Sequence, residues 1–540
     1  MQVTPEVALA SLNTPPPKHL SRPRLVLTTN EPTTNQPKIR KPKVNKGKAS
    51  LVKKDELVKL AAHTDLFCEP DGKSDKAFAT VPVGDHFETY WVNSAEFRLW
   101  LTNEFYKTHG EAVSNQPMQD ALNTLAAKAY FSGAKHRVFI RVAEQNGKFY
   151  YDLGDESWRV VEIDSEGWRI LDRSAVKFIR PSSYKSQVTP VKGGSINELK
   201  RFINVTSEDD WTLLVGWLIS SFRPSGPYAL LSMAGTQDAA KSTTTKMIRM
   251  LVDPSTVLVR AQPKEERDLM VGAKNNWLLA FDNLSFLSES LSDALCRVST
   301  GGGQANRELY KNGDEHVFDV MRPIVMNGIE ELATRPDLAD RTINVFLPSL
   351  KDDERKDEKV LYAEYEEIVP RVLGAIFDVL SVAIRNLPNT HLDKLPRMAD
   401  VARFVTAAEE GLDWDKGTFI KVYEDYRKTA RMNALEASNV GTALLTLMEE
   451  MPLWEGTAGD LLDELDRRLP RAVSRKRFPA SSRSMSSQLR RIQPNLKEAG
   501  IDVEMPEGTR RLSDGKVARI ITITNTQFSE SRWDDSSLPF

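Results

Sequence analysis

Cysteine is nearly absent: the 540 residues hold two, Cys68 and Cys296, far apart. A pair without ligand spacing excludes a disulfide framework and a cysteine zinc site, and fits a reducing, cytoplasmic setting. Long apolar runs are missing as well. The longest, residues 211–222, is too short to span a membrane. The first residues lack the apolar core of a secretion signal. The expectation is a chain with no membrane partner. An excess of either charge is also lacking, with 73 Lys and Arg against 75 Asp and Glu. The balance conceals an uneven distribution. Residues 1–54 have few large apolar side chains and are rich in Pro, Thr, Asn and Lys, so they cannot bury enough surface to offset the entropy of ordering. This leader turns basic from Lys38 to Lys54, which suits either a non-specific phosphate contact or a solvated tail.

What is present centres on residues 228–243, YALLSMAGTQDAAKST. A short apolar run predicts a buried strand. Gly235, four residues, Ala240, Lys241 and Ser242 then follow the P-loop spacing G-x-x-x-x-G-K-[ST], with Ala in place of the second glycine. A loop between strand and helix turns its N–H groups inward, and the helix adds the positive end of its dipole. Gly235, Thr236, Gln237, Asp238, Ala239, Ala240, Lys241, Ser242 and Thr243 are therefore the candidate nucleotide-binding residues. Lys241 would reach the β/γ-phosphates of ATP, and Ser242 would ligate Mg2+. About forty residues on, NWLLAFDN (276–283) predicts a second strand ending in Asp282, a carboxylate placed to hold the metal. MRPIVMNG (321–328) predicts a third, ending in Asn327, and RPDLADR (335–341) ends in Arg341.

The length suits about three domains of roughly 100–200 residues each. Residues 55–190 predict an α+β accessory domain: helices at 94–109 and 116–132, then short strands with a hairpin turn at Asn146-Gly147. Asp152 and Asp155 are its nearest candidates for a two-metal transfer site, and turn-flanking residues are the plainer reading. Ser195 with Glu198, and Thr206 with Asp209, have capping-box spacing for two helices leading into the P-loop strand. Between Asp282 and Asn327 lies STGGGQANRELYKNGDEHVFDV (299–320). Here residues 307–311 and 314–320 can pair across Asn312-Gly313 as a type I′ hairpin.

Those segments carry a resemblance. STGGGQANRELY, MRPIVMNGIEELATRPDLADR and LPRMADVARFVTAAE resemble the helicase-like ATPases of phages, prophages and integrative elements. The chain is similar to superfamily-three helicases of the AAA+ class and to the C-terminal part of poxvirus-type primase-helicases. The resemblance implies an ATPase that uses ATP and Mg2+ in a bacterial host cytoplasm. It implies a homo-oligomeric, hexameric ring and contact with host replication proteins. It implies sensor 1 at Asn327 and a finger arginine at Arg341, reaching the γ-phosphate of a neighbouring copy. It places a single-strand DNA grip at Lys311, with Arg307 and His316 nearby. One departure stands out. The residue after Asp282 is Asn283, where many AAA+ ATPases carry a second acid that polarises the attacking water. Asn283 can orient water but not accept its proton, so another acid serves, or Asp282 does both jobs, or hydrolysis is slow.

Residues 351–439 predict a helical lid or connector, with Leu395-Pro396-Arg397 opening one helix. Residues 440–524 have the order of a winged helix. Its third helix (481–499) carries Arg483, Arg490, Arg491 and Lys497, with Pro494 near its end, and its wing carries Arg510, Arg511 and Lys516. Arg471, Arg475, Lys476 and Arg477 add charge upstream, and 525–540 is a tail. The expected architecture is an α/β P-loop NTPase (AAA+-like) core at 191–350, an N-terminal α+β domain and a C-terminal winged helix that binds duplex DNA. The expected function is an ATP-driven DNA replication motor. Two rivals are a helicase loader that does not unwind DNA and a nucleotide-sensing DNA-binding regulator.

Overall fold

The computed structural model of the chain describes residues 46–70, 77–301, 304–307, 315–318, 320–329, 332–333, 335–351, 353, 355–436, 438–468, 478–505, 508–511 and 517–527. The chain divides into residues 1–52 and 53–540. Of the first unit, described residues 46–52 are helical, within α1 (Lys46–Leu60).

Short runs rich in apolar and β-branched residues build β1 (Asp65–Cys68), β2 (Ala77–Val83) and β3 (His86–Trp91), an antiparallel set. Helices α2 (Ala95–His109) and α3 (Asn115–Ser132) bury Phe97, Leu101, Phe105, Leu122 and Leu125 against it. Ser94 caps α2 by accepting from Phe97 N–H, and Gly110, at φ 66°, closes it. The short β4 (Ala134–Lys135) joins the sheet beside β1, and β5 (Val138–Phe139) starts a two-stranded pair.

Next comes an antiparallel meander, β6 (Val142–Gln145), β7 (Lys148–Asp152), β8 (Val160–Asp164) and β9 (Gly167–Leu171); β10 (Lys177–Phe178) then pairs with β5. Asn146 and Gly147 both take positive φ, as a type I′ turn requires. The meander does not belong to a self-contained 55–190 unit. No helix lies between its strands, so Val142, Tyr151, Val161, Ile163 and Trp168 are buried in one core with the helices after residue 207.

Ser195 and Glu198 do form the expected capping box, on a six-residue 3-10 turn, Ile196–Arg201, rather than an α-helix. The next cap is Ser207, one residue past the expected Thr206. It accepts from Asp210 N–H and opens α4 (Glu208–Ser221), whose acidic first turn complements the helix dipole.

A wholly parallel sheet follows. Its strands are β11 (Leu230–Ala234), β12 (Leu279–Leu284), β15 (Ile324–Gly328) and β16 (Thr342–Phe346), in the order β12-β15-β11-β16. Helices α5 (Lys241–Val252), α6 (Glu266–Asn275), α7 (Glu289–Thr300) and the short α8 (Pro336–Ala339) accompany it. Between α7 and β15, β13 (Gln304–Arg307) and β14 (Glu315–Phe318) pair antiparallel. Their register sets Arg307 opposite Glu315. A two-residue turn at 312–313 in an unbroken ladder would set it opposite Phe318, so the hairpin runs three residues out of the expected register.

Three helices follow, α9 (Glu358–Asn386), α10 (Ala399–Ala408) and α11 (Thr418–Glu436). Ile376, Phe377, Phe404, Phe419 and Tyr423 lie in the same core as α4 and the meander. The 19 residues of α11 span about 28 Å, and Leu435 at its far end is buried in a different core. That core belongs to α12 (Asn439–Glu450), β17 (Leu453–Gly456), α13 (Ala458–Arg468), α14 (Ser482–Glu498), β18 (Ile501–Glu504) and β21 (Ile521–Asn525), whose sheet order is β17-β21-β18. The small pair β19 (Arg510–Arg511) and β20 (Val517–Ala518) projects between β18 and β21. Among the described residues no helix is long and apolar enough to cross a membrane.

Candidate functional site

The loop between β11 and α5 is shaped by close backbone approach. A Cβ on Gly235 would lie 2.3 Å from the Leu347 carbonyl oxygen, so only glycine fits there. Leu347 N–H in turn donates to Ala234 O at 2.9 Å, and the Thr236 and Ser349 hydroxyls bond each other. Thr236, Gln237 and Asp238 form the exposed turn, and Ala239 is buried beneath it. Ala240 sits at φ 57°, a left-handed conformation that costs a side-chain-bearing residue about 1 kcal/mol or more. The second glycine of the spacing rule would sit there without strain.

For Thr236 through Ser242, no N–H donates to a carbonyl of the described residues, which leaves a row of donors at the positive end of α5. Thr243 continues the first turn of α5. Lys241 Nζ folds back on the loop, donating to the carbonyls of Gly235 (2.7 Å) and Thr236. Partial burial lowers its pKa, against the opposing pull of Asp238 and Asp282.

Three neighbouring strands converge beside this loop. Ser242 Oγ donates to Asp282 Oδ1 at 2.7 Å, and Asn327 Nδ2 donates to the same oxygen at 2.8 Å. Asn327, 1% exposed, also donates to Thr245 Oγ1 (2.6 Å) and accepts from the Asn283 N–H (3.0 Å). That backbone donor fixes which way round the amide lies. The order β12-β15-β11 places the Asn327 strand between the other two, so one side chain spans from the acid to α5. Asn283 stands at φ 54°, exposed, where the β12–β15 register shifts. Its backbone, rather than its side chain, joins the cluster. Asp282 Oδ2 has no partner among the described residues. Thr245 was not singled out from the sequence; its place one helical turn after Lys241 was the available signal.

Arg341 lies elsewhere. It precedes β16, whose first residue pairs with Leu230, so it stands at the opposite end of the sheet from the loop. It ion-pairs with Asp337, donates to the Asp337 carbonyl at 2.6 Å, and keeps only 12% of its side chain exposed. Arg397 donates to the same Asp337 oxygen, Oδ1, at 3.1 Å. Burial pushes the Asp337 carboxyl up, and the two guanidiniums outweigh it and hold it below its ordinary value. Burial pushes the neighbouring Cys296 thiol up to about 11.

Of the hairpin residues, Arg307 and His316 belong to β13 and β14, and Lys311 lies outside the described residues. On α14, Met485, Leu489, Ile492 and Leu496 face the core, leaving Arg483, Arg490, Arg491 and Lys497 exposed. The helix runs on through Pro494 to Glu498. Arg483, Ser486, Ser487 and Arg490 line a groove with Arg519, a residue the sequence reading passed over. Arg491 is not in it. Arg510 and Arg511 are exposed on β19; Arg471, Arg475, Lys476, Arg477 and Lys516 lie outside the described residues.

Asp152 and Asp155 are structural. Asp152 is buried between Arg180 and the Tyr184 hydroxyl, and Asp155 pairs with Arg159. No metal-holding cluster of acids, His or Cys occurs among the described residues.

No curated protein matches the sequence. Among solved structures, the C-terminal region of NrS-1 is similar at 10% identity and TM-score 0.38, over 86% of this chain and 98% of that one. JCV helicase is similar at 12% identity and TM-score 0.21, over 43% and 69%. Residues 196–432 match the family of actinomycete integrative conjugative element replication proteins, and residues 440–532 match the C-terminal domain of the same RepA family. The two spans lie in tandem, and over them the chain is similar to the RepA replication proteins of actinomycete integrative conjugative elements.

Proposed function

We propose that this replication protein is an ATP-hydrolysing DNA motor, with a P-loop nucleotide site on the parallel sheet and a winged helix at residues 440–524. The carrying observation is the chain of contacts Ser242–Asp282–Asn327–Thr245 beside the loop. The residues fit ATP and Mg2+. The loop offers N–H donors that take no carbonyl of the described residues, at a helix N-terminus, and Ser242 with Asp282 is the hard oxygen pair that Mg2+ selects. When bound, Mg2+ supplies charge neutralisation on the phosphates.

The chain's own groups do the rest. Lys241 leaves its two loop carbonyls to meet phosphate charge, and its lowered pKa follows from the partial burial that also strengthens the new contact. Asn327 holds Asp282 Oδ1 in place, so Oδ2 is free to accept a bond from water. With Asn283 facing solvent, Asp282 is the acid that serves both jobs. Arg341, at the far end of the strands, can meet a nucleotide only in another copy, which requires a ring or a similar assembly.

The groove of Arg483, Arg490 and Arg519 supports duplex binding, since three cations beside two small hydroxyls suit a phosphate backbone. The hairpin, with Lys311, would hold single strands. Strand displacement by the purified protein with ATP tests the motor reading. Hydrolysis that DNA stimulates without displacement would replace it with a loader. Binding without turnover would leave a nucleotide sensor.

A further inference from the structure

One arginine joins the two cores. On α11, Arg431 donates to Asp340 through Nε and Nη2, both at 3.3 Å, and its Nη1 pairs with Glu498 at the end of α14. Asp340 adjoins Arg341 and is also faced by Arg427 at 3.9 Å. One turn earlier, the Tyr426 hydroxyl accepts from Asn344 N–H (2.8 Å) and donates to the Thr342 carbonyl (3.1 Å), along the open edge of β16. From β16 the contacts continue to the loop, because Leu347 bonds Ala234 and its carbonyl packs on Gly235.

We propose that Arg431 is a positioning residue that couples α14 to the nucleotide loop through Asp340 and β16, so that duplex DNA and nucleotide alter each other's affinity. The proposal rests on the reading of the loop as the nucleotide site and of α14 as the duplex-binding helix. The geometry favours transmission over flexible tethering. α11 is one unbroken helix, with Phe419 and Tyr423 in the central core and Leu435 in the C-terminal one. Any tilt of α14 therefore meets α11 at Glu498–Arg431 and reaches the sheet edge at Asp340. All three charged side chains are partly shielded, with 21%, 31% and 38% exposed for Arg431, Asp340 and Glu498, so salt screens the relay only in part. Coupling between two sites is reciprocal, which gives a sharp readout.

The test uses the full chain, a non-hydrolysable ATP analogue with Mg2+, and a mixed-sequence duplex of the length that saturates the protein. The dissociation constant of each ligand is measured with and without the other. In the parent chain each shifts the other by the same factor, about fivefold or more. Arg431→Gln and Glu498→Gln should each bring that factor to about one while leaving both ligands' separate affinities within about twofold, because the buried apolar ends of α11 keep the two cores joined. Arg431→Lys, which keeps the charge but lacks the fork needed to span two carboxylates, should lose most of the factor too. A parental factor in Arg431→Gln overturns the proposal. So does loss of duplex binding itself in that variant, which would make Arg431 a structural support of the C-terminal fold. A parent chain that binds both ligands without mutual effect overturns the coupling and leaves the two sites standing. One that fails to bind either ligand brings down the underlying reading as well.

Discussion

The two ends of the parallel sheet are built by different means. At the carboxyl ends of β11, β12 and β15, Lys241, Ser242, Asp282 and Asn327 are held by backbone geometry, a glycine under a carbonyl, and hydrogen bonds of 2.6–2.8 Å. At the amino end of β16, Arg341, Asp337, Asp340, Arg397 and Arg431 form a corner of ion pairs from separate elements. The first end is the one proposed above as the nucleotide cradle. The second is charged, partly exposed and rich in arginine, which suits a surface that meets other molecules or other parts of this one. A change at the cradle should remove turnover in its own copy, and a change at the corner should act across copies or between the two cores.

Lys241→Ala breaks the cradle outright, and ATP turnover should fall below detection with the melting temperature unchanged, by phosphate-release assay and calorimetry. Parental turnover in that variant would refute the nucleotide assignment. Arg341→Ala tests the corner. Nucleotide binding should persist while turnover drops about 10³-fold, and mixing with Lys241→Ala should restore part of it, since an intact loop in one copy can then meet an intact arginine in another. Absence of rescue in confirmed mixed assemblies would confine Arg341 to its own subunit.

Asp253, buried behind the sheet, sharpens the contrast between structural and functional charge. It accepts from Arg141 and Arg249 and from the N–H groups of Trp277 and Leu278. Burial pushes its pKa up, but Arg249 and Arg141 outweigh that and hold it below the ordinary carboxylate value. Asp253→Ala should cost about 3–5 kcal/mol of stability by leaving buried guanidiniums unpaired. The folded state binds this proton less readily than the unfolded one, so the stabilisation is complete above the unfolded value near 3.9 and is lost as pH falls through the folded one. Urea titrations of the parent and Asp253→Asn should therefore converge in acid; a gap independent of pH would contradict the pairing.

Thr245→Val removes one of the bonds that hold Asn327. It should slow turnover about fivefold, the equivalent of about 1 kcal/mol, with nucleotide affinity retained; an unchanged rate would show that Asn327 needs no second anchor. The smallest effect concerns α14. Arg490→Ala and Arg519→Ala should each flatten the salt slope of duplex binding by about one, and Arg491→Ala, outside the groove, by less. Equal slopes in all three would mean the groove is not the contact surface.

The loop, the acid strand and the Asn327 strand were legible because each is a local statement, an apolar run followed by one polar residue at a fixed place. The hairpin was legible as a pair of strands but not in register: Arg307 pairs with Glu315, and Asn312-Gly313 lies outside the described residues. Ser207 displaced Thr206 as a cap because either can start a helix and the packing of α4 chooses between them.

By itself, then, the sequence determined where the cradle lies and which residues end its strands, because strand-loop-helix geometry follows from neighbours along the chain. Tertiary structure alone decided that the meander β6–β9 shares the central core, that Asn327 reaches Thr245 and Asp282 together, that Arg519 joins Arg483 and Arg490, and that Arg431 stands between Asp340 and Glu498. The physical reason is the same in each case. An unsatisfied apolar face or charge needs a partner, and nothing in the local sequence states which distant segment the folded chain will bring to it.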